Sequence, residues 1–268
     1  MAGISPVISD YSWLFNSTIN NKRQDSISKL WSAYGNYQTN ANNALVGLSE
    51  INGNLKSLLA SYEEAKTTFN AELNENMSDL SDSATALKNY NFKVEAEGAV
   101  TKTTETDKDG KISTTTTYSK DLQAALDTVK NFVSDYNSSI KFFQDNGEVS
   151  KRVERMATVF GDTTYRASLY ESVGVTVGAN GSLGINEDKL VDKILNDPEK
   201  VSSILGKGGF ASKAEDHISF AKSQQDKLFP AADVMLGDQI SMASIYTGKA
   251  YRNMSAYSNM GNLLNMMF

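Results

Sequence analysis

The stretch LQAALDTVKNFVSDYNSSIKFF, residues 122–143, decides the fold. Its apolar residues Leu122, Leu126, Val129, Val133, Tyr136, Ile140 and Phe143 recur at alternating steps of four and three. That spacing collects them along one side of an α-helix as a heptad seam, whereas a strand, with its period of two, would scatter them over both faces. An earlier stretch repeats the pattern through Leu48, Ile51, Leu55, Leu58, Tyr62, Ala65 and Phe69, and on through Leu73, Met77, Leu80, Ala84 and Leu87. One extra step of four between Phe69 and Met77 is a stutter, which unwinds a supercoil locally without breaking the helix. Roughly forty residues at ~1.5 Å per residue predict a helix on the order of 60 Å long.

Between the two seams the period changes. Phe92, Val94 and Ala96 alternate with charged residues, and eight threonines fall between Thr101 and Thr117. Lys108-Asp109-Gly110-Lys111 supplies a turn, because glycine accepts the positive φ that tight turns require. The expectation is a Thr-rich, solvent-facing β-ribbon over about 92–118 that joins two antiparallel helices. Residues 44–145 then form one long helical hairpin interrupted by that ribbon.

The flanks read differently. Residues 1–43 are polar, with an apolar knot at Trp13, Leu14 and Phe15 and a helix-like spacing of Ile27, Leu30, Trp31 and Tyr34. They predict a flexible arm carrying one short helix. Residues 146–229 predict a small α+β region. There Asn146-Gly147 ends the second seam, and an amphipathic stretch runs through Val149, Val153, Met156, Val159 and Phe160. Val175 to Val177 and Leu183 to Ile185 flank Asn180-Gly181, which predicts a hairpin over about 175–185 with a two-residue type I′ turn. Asn186 caps a helix with Glu187 and Asp188 in its first turn, Asp197-Pro198 opens another, and Gly206 stops it.

Residues 230–268 form the most apolar segment: between Phe229 and Phe268 the charges are Asp233, Asp238, Lys249 and Arg252, and six of the nine methionines lie there. Leu236, Ile240, Ala243, Thr247, Ala250, Met254, Tyr257, Gly261, Leu264 and Phe268 keep three-four spacing, and Met260 and Met267 widen the apolar surface beyond one seam. A helix so apolar must be covered, either by its own fold or by another subunit. Adaptable methionines favour the second, so this segment is the predicted oligomer or partner interface. The fold class is therefore mainly α: a long antiparallel coiled-coil-like bundle with a β-ribbon and a small hairpin.

Composition narrows the function. A net charge of −6 without a cluster of Lys and Arg argues against nucleic acid. The absence of cysteine removes disulfides, thiolate catalysis and sulfur-ligated zinc. No run of 18 apolar residues predicts a membrane span, and the N-terminus lacks the features of a cleaved secretory signal. The candidate chemical motifs favour structural readings. Asp107-Lys-Asp109-Gly110 has glycine two positions early for a calcium loop and lacks the distal Glu, so no metal site is expected. Gly206-Lys-Gly-Gly209 lacks the closing Gly-Lys-Ser/Thr of a phosphate loop and reads as a helix stop followed by a link. His217, the one histidine, sits in a polar helical stretch and reads as solvated or structural. No cofactor and no catalytic residue follow from these motifs.

Three stretches resemble the C-terminal region of the bacterial flagellar filament cap, or hook-associated protein 2, family: VKNFVSDYN at 129–137, VGVTVGANGSLGINEDKL at 173–190, and NDPEKV at 196–201 followed by Leu205-Gly206. The final residues, NLLNMMF at 262–268, are similar in character to that family's terminal coiled-coil helix. The resemblance covers about half of the chain. Caps of that family carry a large β-rich outer region where this chain has only the ribbon, and a Gly-rich opening that Ile4-Ser-Pro-Val-Ile-Ser does not reproduce, so the resemblance is to a reduced or divergent member. It implies export through the flagellar apparatus to an extracellular location, a homo-oligomer at the filament tip, contact with flagellin or other axial proteins, and help from an export chaperone. The alternatives are an exported adhesin that binds through the ribbon and, more distantly, a glycan hydrolase, which would need paired carboxylates in a cleft.

Overall fold

The computed structural model describes residues 17–41, 48–106 and 112–236, with side chains left undescribed at several positions near the edges of these ranges. Within them the chain is mostly helical, with two small antiparallel hairpins. The described residues divide into two compact units, 17–71 with 229–236, and 72–228. The sequence places its boundaries elsewhere, at 43/44, 145/146 and 229/230.

In the first unit, helix α1 spans Ser17–Ala41, well beyond the short helix expected there. Leu30 and Tyr37 are buried, and Trp31 packs edge-on against Tyr34. Helix α2, Leu48–Asn89, contributes its residues up to 71. Leu55, Leu58, Tyr62, Ala65 and Phe69 are all buried, as heptad spacing requires. Phe229 lies against the rings of both Tyr62 and Phe69, and the Tyr62 hydroxyl donates to the Pro230 carbonyl at 2.8 Å.

The second unit contains the rest of α2, where Leu73, Met77, Leu80, Ala84 and Leu87 are buried. The ribbon follows as β1 (Val100–Thr106) and β2 (Ile112–Tyr118), paired from Val100↔Tyr118 to Thr106↔Ile112. It is shorter than the expected 92–118. Residues 92–99 are not strand, because Phe92 turns inward at 0% exposure against Tyr90 and Ala99 is enclosed. The expected Lys108–Lys111 turn lies outside the described residues.

Helix α3, Lys120–Asp145, is capped by the Ser119 side chain, which accepts from the Leu122 N–H. The Tyr90 hydroxyl reaches the Asp121 carbonyl, and Ser83 faces Asp135. The end of α2 and α3 therefore run antiparallel. Every seam residue of α3 is buried, and so are Ala125, Phe132, Asn137, Ser139 and Phe142. This is wider than the stripe of a two-helix seam: α3 is a core helix packed on more than one side.

The elements that cover it come next. A 3₁₀ turn at Gly147–Val149 leads into α4 (Lys151–Phe160), a 3₁₀ segment (Gly161–Arg166) and α5 (Ala167–Glu171). The hairpin of β3 (Val175–Val177) and β4 (Leu183–Ile185) precedes α6 (Glu187–Asn196), α7 (Pro198–Leu205) and α8 (Phe210–Leu228). The expected caps are in place, with Asn186 accepting from the Lys189 N–H and Asp197 from the Lys200 N–H. Phe132 meets Phe210, while Lys88 pairs with Glu215 and Asn74 with Gln225, so α8 runs parallel to α3 and antiparallel to α2. Helix α4 is antiparallel to α8, through Ser150 on Leu228 and Phe160 on His217. Helix α9, Ala232–Leu236, closes the described chain.

Candidate functional site

The run from Val173 to Leu190 folds as one tightly linked piece. Gly174 adopts φ 92°, and a Cβ there would lie 2.6 Å from the Leu190 backbone nitrogen, so only glycine lets the start of the run touch α6. The Asn186 N–H closes the contact by donating to the Gly174 carbonyl. The hairpin pairs Val175↔Ile185 and Val177↔Leu183.

The turn itself corrects the expected type I′ geometry. Asn180 does not take positive φ: among the described residues only glycines do, and here Gly181 alone, at φ 82°. The Gly178 carbonyl accepts from the Gly181 N–H at 3.0 Å, and the Gly178 N–H donates to Ser182. This is a three-residue loop, Ala179 to Gly181, whose last residue is left-handed. Asn180 instead uses its side chain to accept from the Ser182 N–H. Gly181 presses against Gly161, where an added Cβ would come within 2.6 Å of the backbone oxygen, and its carbonyl accepts from the buried Thr163 hydroxyl. The hairpin tip is thereby fixed to the 3₁₀ segment after α4.

The hairpin is also tied to α3. Asn137, buried, donates through Nδ2 to the Leu183 carbonyl at 2.8 Å and accepts at Oδ1 from the Leu183 N–H at 2.7 Å. Its side-chain amide acts as a third strand one residue long.

One residue earlier in α3, Tyr136 anchors a polar cluster. The Tyr136 hydroxyl donates to the Phe160 carbonyl at 2.9 Å and stands 3.1 Å from His217 Nδ1. With that hydroxyl proton committed, Nδ1 is the donor to the Tyr136 oxygen. His217 Nε2 lies 3.6 Å from Asp162 Oδ2, which Lys213 binds at 2.7 Å. Burial holds the imidazole below its ordinary range, with Asp162 opposing and Lys213 reinforcing that shift. The Tyr136 hydroxyl is raised well above the usual range, first by burial and then by Asp162. Tyr136 therefore stays a neutral hydrogen-bonding group and His217 favours its uncharged form: a structural cluster that joins α3, α4, the 3₁₀ segment and α8.

Asp162 also lines an open cleft of about 460 Å³ with Glu154, Thr158, Tyr165, Gln144 and Asn180. Asp162 is engaged by Lys213, and the hydrogen bond from Lys151 draws Glu154 below the ordinary carboxylate range.

The sequence-chosen interface residues fare unevenly. Leu55, Leu58, Tyr62, Phe69, Leu122, Leu126, Val129, Val133, Tyr136 and Ile140 are buried within their own units. Leu48 and Ile51 lie in the first turn of α2, and Leu236 ends α9. Ile240, Ala243, Met254, Tyr257, Met260, Leu264, Met267 and Phe268 lie outside the described residues, as does Asp107 to Gly110. Gly206 to Gly209 is a tight link between α7 and α8: the Gly209 N–H donates to Gly206, and its own Cβ would strike the Ile204 carbonyl. No helix among the described residues is long and apolar enough to cross a membrane.

Sequence reading missed Asn137, Asp162 and Lys213. Asn137 carried a faint signal, a short amide next to the seam on the core side of α3; the other two carried none, because their partners are remote in sequence. No protein-family model, curated protein or solved structure matches the chain.

Proposed function

We propose that the chain is a non-enzymatic assembly protein of the flagellar filament cap type, acting as a homo-oligomer on flagellin at the filament tip. One observation supports this reading above the others. Two of the stretches that carry the resemblance, 129–137 and 173–190, are bound to each other through Asn137 and Leu183. Residues that would otherwise be scattered matches form a single packed piece, the outcome expected if the resemblance reflects shared architecture. On this reading the heptad spacing of 48–87 and 122–143 is that of the cap's helical legs, and the apolar segment 230–268 joins subunits.

The test is end-capping. Purified chain mixed with flagellin filaments from its own source is located by gold-labelled antibody in the electron microscope. Label confined to one filament end supports the proposal, and label along the shaft or nowhere rejects it.

The second reading, an exported adhesin, is favoured by one specific feature: Thr101 to Thr104 and Thr115 to Thr117 are exposed on both faces of the ribbon. Deleting residues 100–118 separates the two, because an adhesin loses surface binding while a cap keeps its filament end.

A further inference from the structure

Among the described residues the ribbon is a sheet of two strands. Successive residues of a strand face opposite sides, and Thr101–Thr104 and Thr115–Thr117 are all exposed, so neither face is covered there. A two-stranded hairpin in water is marginal, and a third strand is the usual remedy. The two outer edges are not equivalent. Strand β1 carries Lys102 and Glu105, whereas β2, ISTTTTY, has no charge, no glycine and no proline, and five of its seven residues are β-branched. It shows none of the sequence devices that keep an open edge from pairing.

The phase of the ladder fixes which backbone groups that edge offers. The Ser119 N–H donates to the Ala99 carbonyl at 2.8 Å, which makes residues 99 and 119 a hydrogen-bonded pair. With the register running from Val100↔Tyr118 to Thr106↔Ile112, hydrogen-bonded pairs fall on odd-numbered residues. The N–H and C=O of Ile112, Thr114, Thr116 and Tyr118 therefore point away from β1.

We propose that this edge binds the same edge of a second copy of the chain, the two β2 strands pairing antiparallel about a two-fold axis at Thr115. An antiparallel neighbour must bring its own outward-facing residues opposite these, and β2 does so when centred on Thr115. Thr114 then meets Thr116 of the second copy, and Ile112 meets Tyr118. Each such pair exchanges two backbone hydrogen bonds. Facing threonines stabilise cross-strand contacts, and no charge is left without a counterpart. The occupant is a second copy because this strand is its own complement in register, hydrogen-bonding phase and charge. The inference does not rest on the filament-cap reading.

The chain has no cysteine, so Thr115→Cys provides a single thiol in the full-length protein. At the axis it faces itself in a non-hydrogen-bonded pair with Cα atoms about 4.5 Å apart, within disulfide range. Mild oxidation of the folded protein at micromolar concentration is expected to give a disulfide-linked dimer, while Thr101→Cys, equally exposed on β1, is not. Adding Thr116→Pro removes an outward N–H without touching the bonds to β1, and is expected to abolish the link. Thr116→Lys blunts the edge without altering the backbone and is expected to do the same, which covers the case where proline unfolds the ribbon. Cross-linking of Thr115→Cys no greater than that of Thr101→Cys, or undiminished by Thr116→Lys, overturns the proposal.

Discussion

The side chain of Asn137 holds both backbone groups of Leu183, one as donor and one as acceptor, inside the core. Through this pair a helix from the middle of the chain completes the edge of a hairpin 46 residues later. Without it the Leu183 N–H and C=O would be enclosed and unmatched, which costs far more than an ordinary hydrogen bond is worth.

Asn137→Ala is therefore expected to destabilise the chain by about 2–4 kcal/mol, since two buried backbone groups lose their partners. Asn137→Asp keeps the acceptor but sets a carboxylate oxygen against the buried Leu183 carbonyl, and should cost at least as much. The midpoint of urea unfolding followed by circular dichroism checks this. An Asn137→Ala midpoint within error of the parent would mean that water satisfies Leu183 instead.

Gly181 and Gly98 separate two costs that usually arrive together. Both have positive φ, 82° and 72°, but a Cβ on Gly181 would overlap the Gly161 backbone while Gly98 faces open space. Gly98→Ala should cost only the conformational strain, about 1 kcal/mol. Gly181→Ala adds a backbone displacement and is expected to cost about 2–4 kcal/mol. Equal losses for the two alanine variants in thermal or urea unfolding would show that the Gly161 contact relaxes freely.

How much was legible in the sequence follows from the range of each interaction. The burial of the apolar residues of α3, the caps at Asn186 and Asp197 and the paired residues of the 175–185 hairpin depend on neighbours a few residues apart, and local spacing exposed them. The turn type did not follow from Asn180-Gly181, because Gly181 is selected by its contact with Gly161, twenty residues earlier. Phe92 alternates with polar residues as a strand would, yet burial beside Tyr90 ends the ribbon short of it. Tyr136 was legible as a seam residue but not as a hydrogen-bond donor, since Phe160 and His217 meet it only in the folded chain.

His217 gives the chain a pH dependence that can be assigned to one group, for it is the only histidine. Its folded pKa is lowered by burial, so the unfolded chain binds the proton more readily. Stability is then complete above the unfolded value of about 6.5 and declines as pH falls from there toward the folded value. His217→Gln should flatten unfolding midpoints measured between mildly acidic and neutral pH. Stability that rises on acidification through this window would mean instead that Asp162 holds an imidazolium.

The proposed filament-cap role requires self-association. Sedimentation equilibrium of the full-length chain at low and high micromolar concentration tests it, beside a truncation ending before Met235 that removes the widest apolar surface. The expected result is an oligomer of the full-length chain that the truncation reduces to no more than the dimer paired through the β2 edge, with the helical signal of residues 48–228 retained. A full-length chain that stays monomeric at high micromolar concentration would contradict the assembly reading.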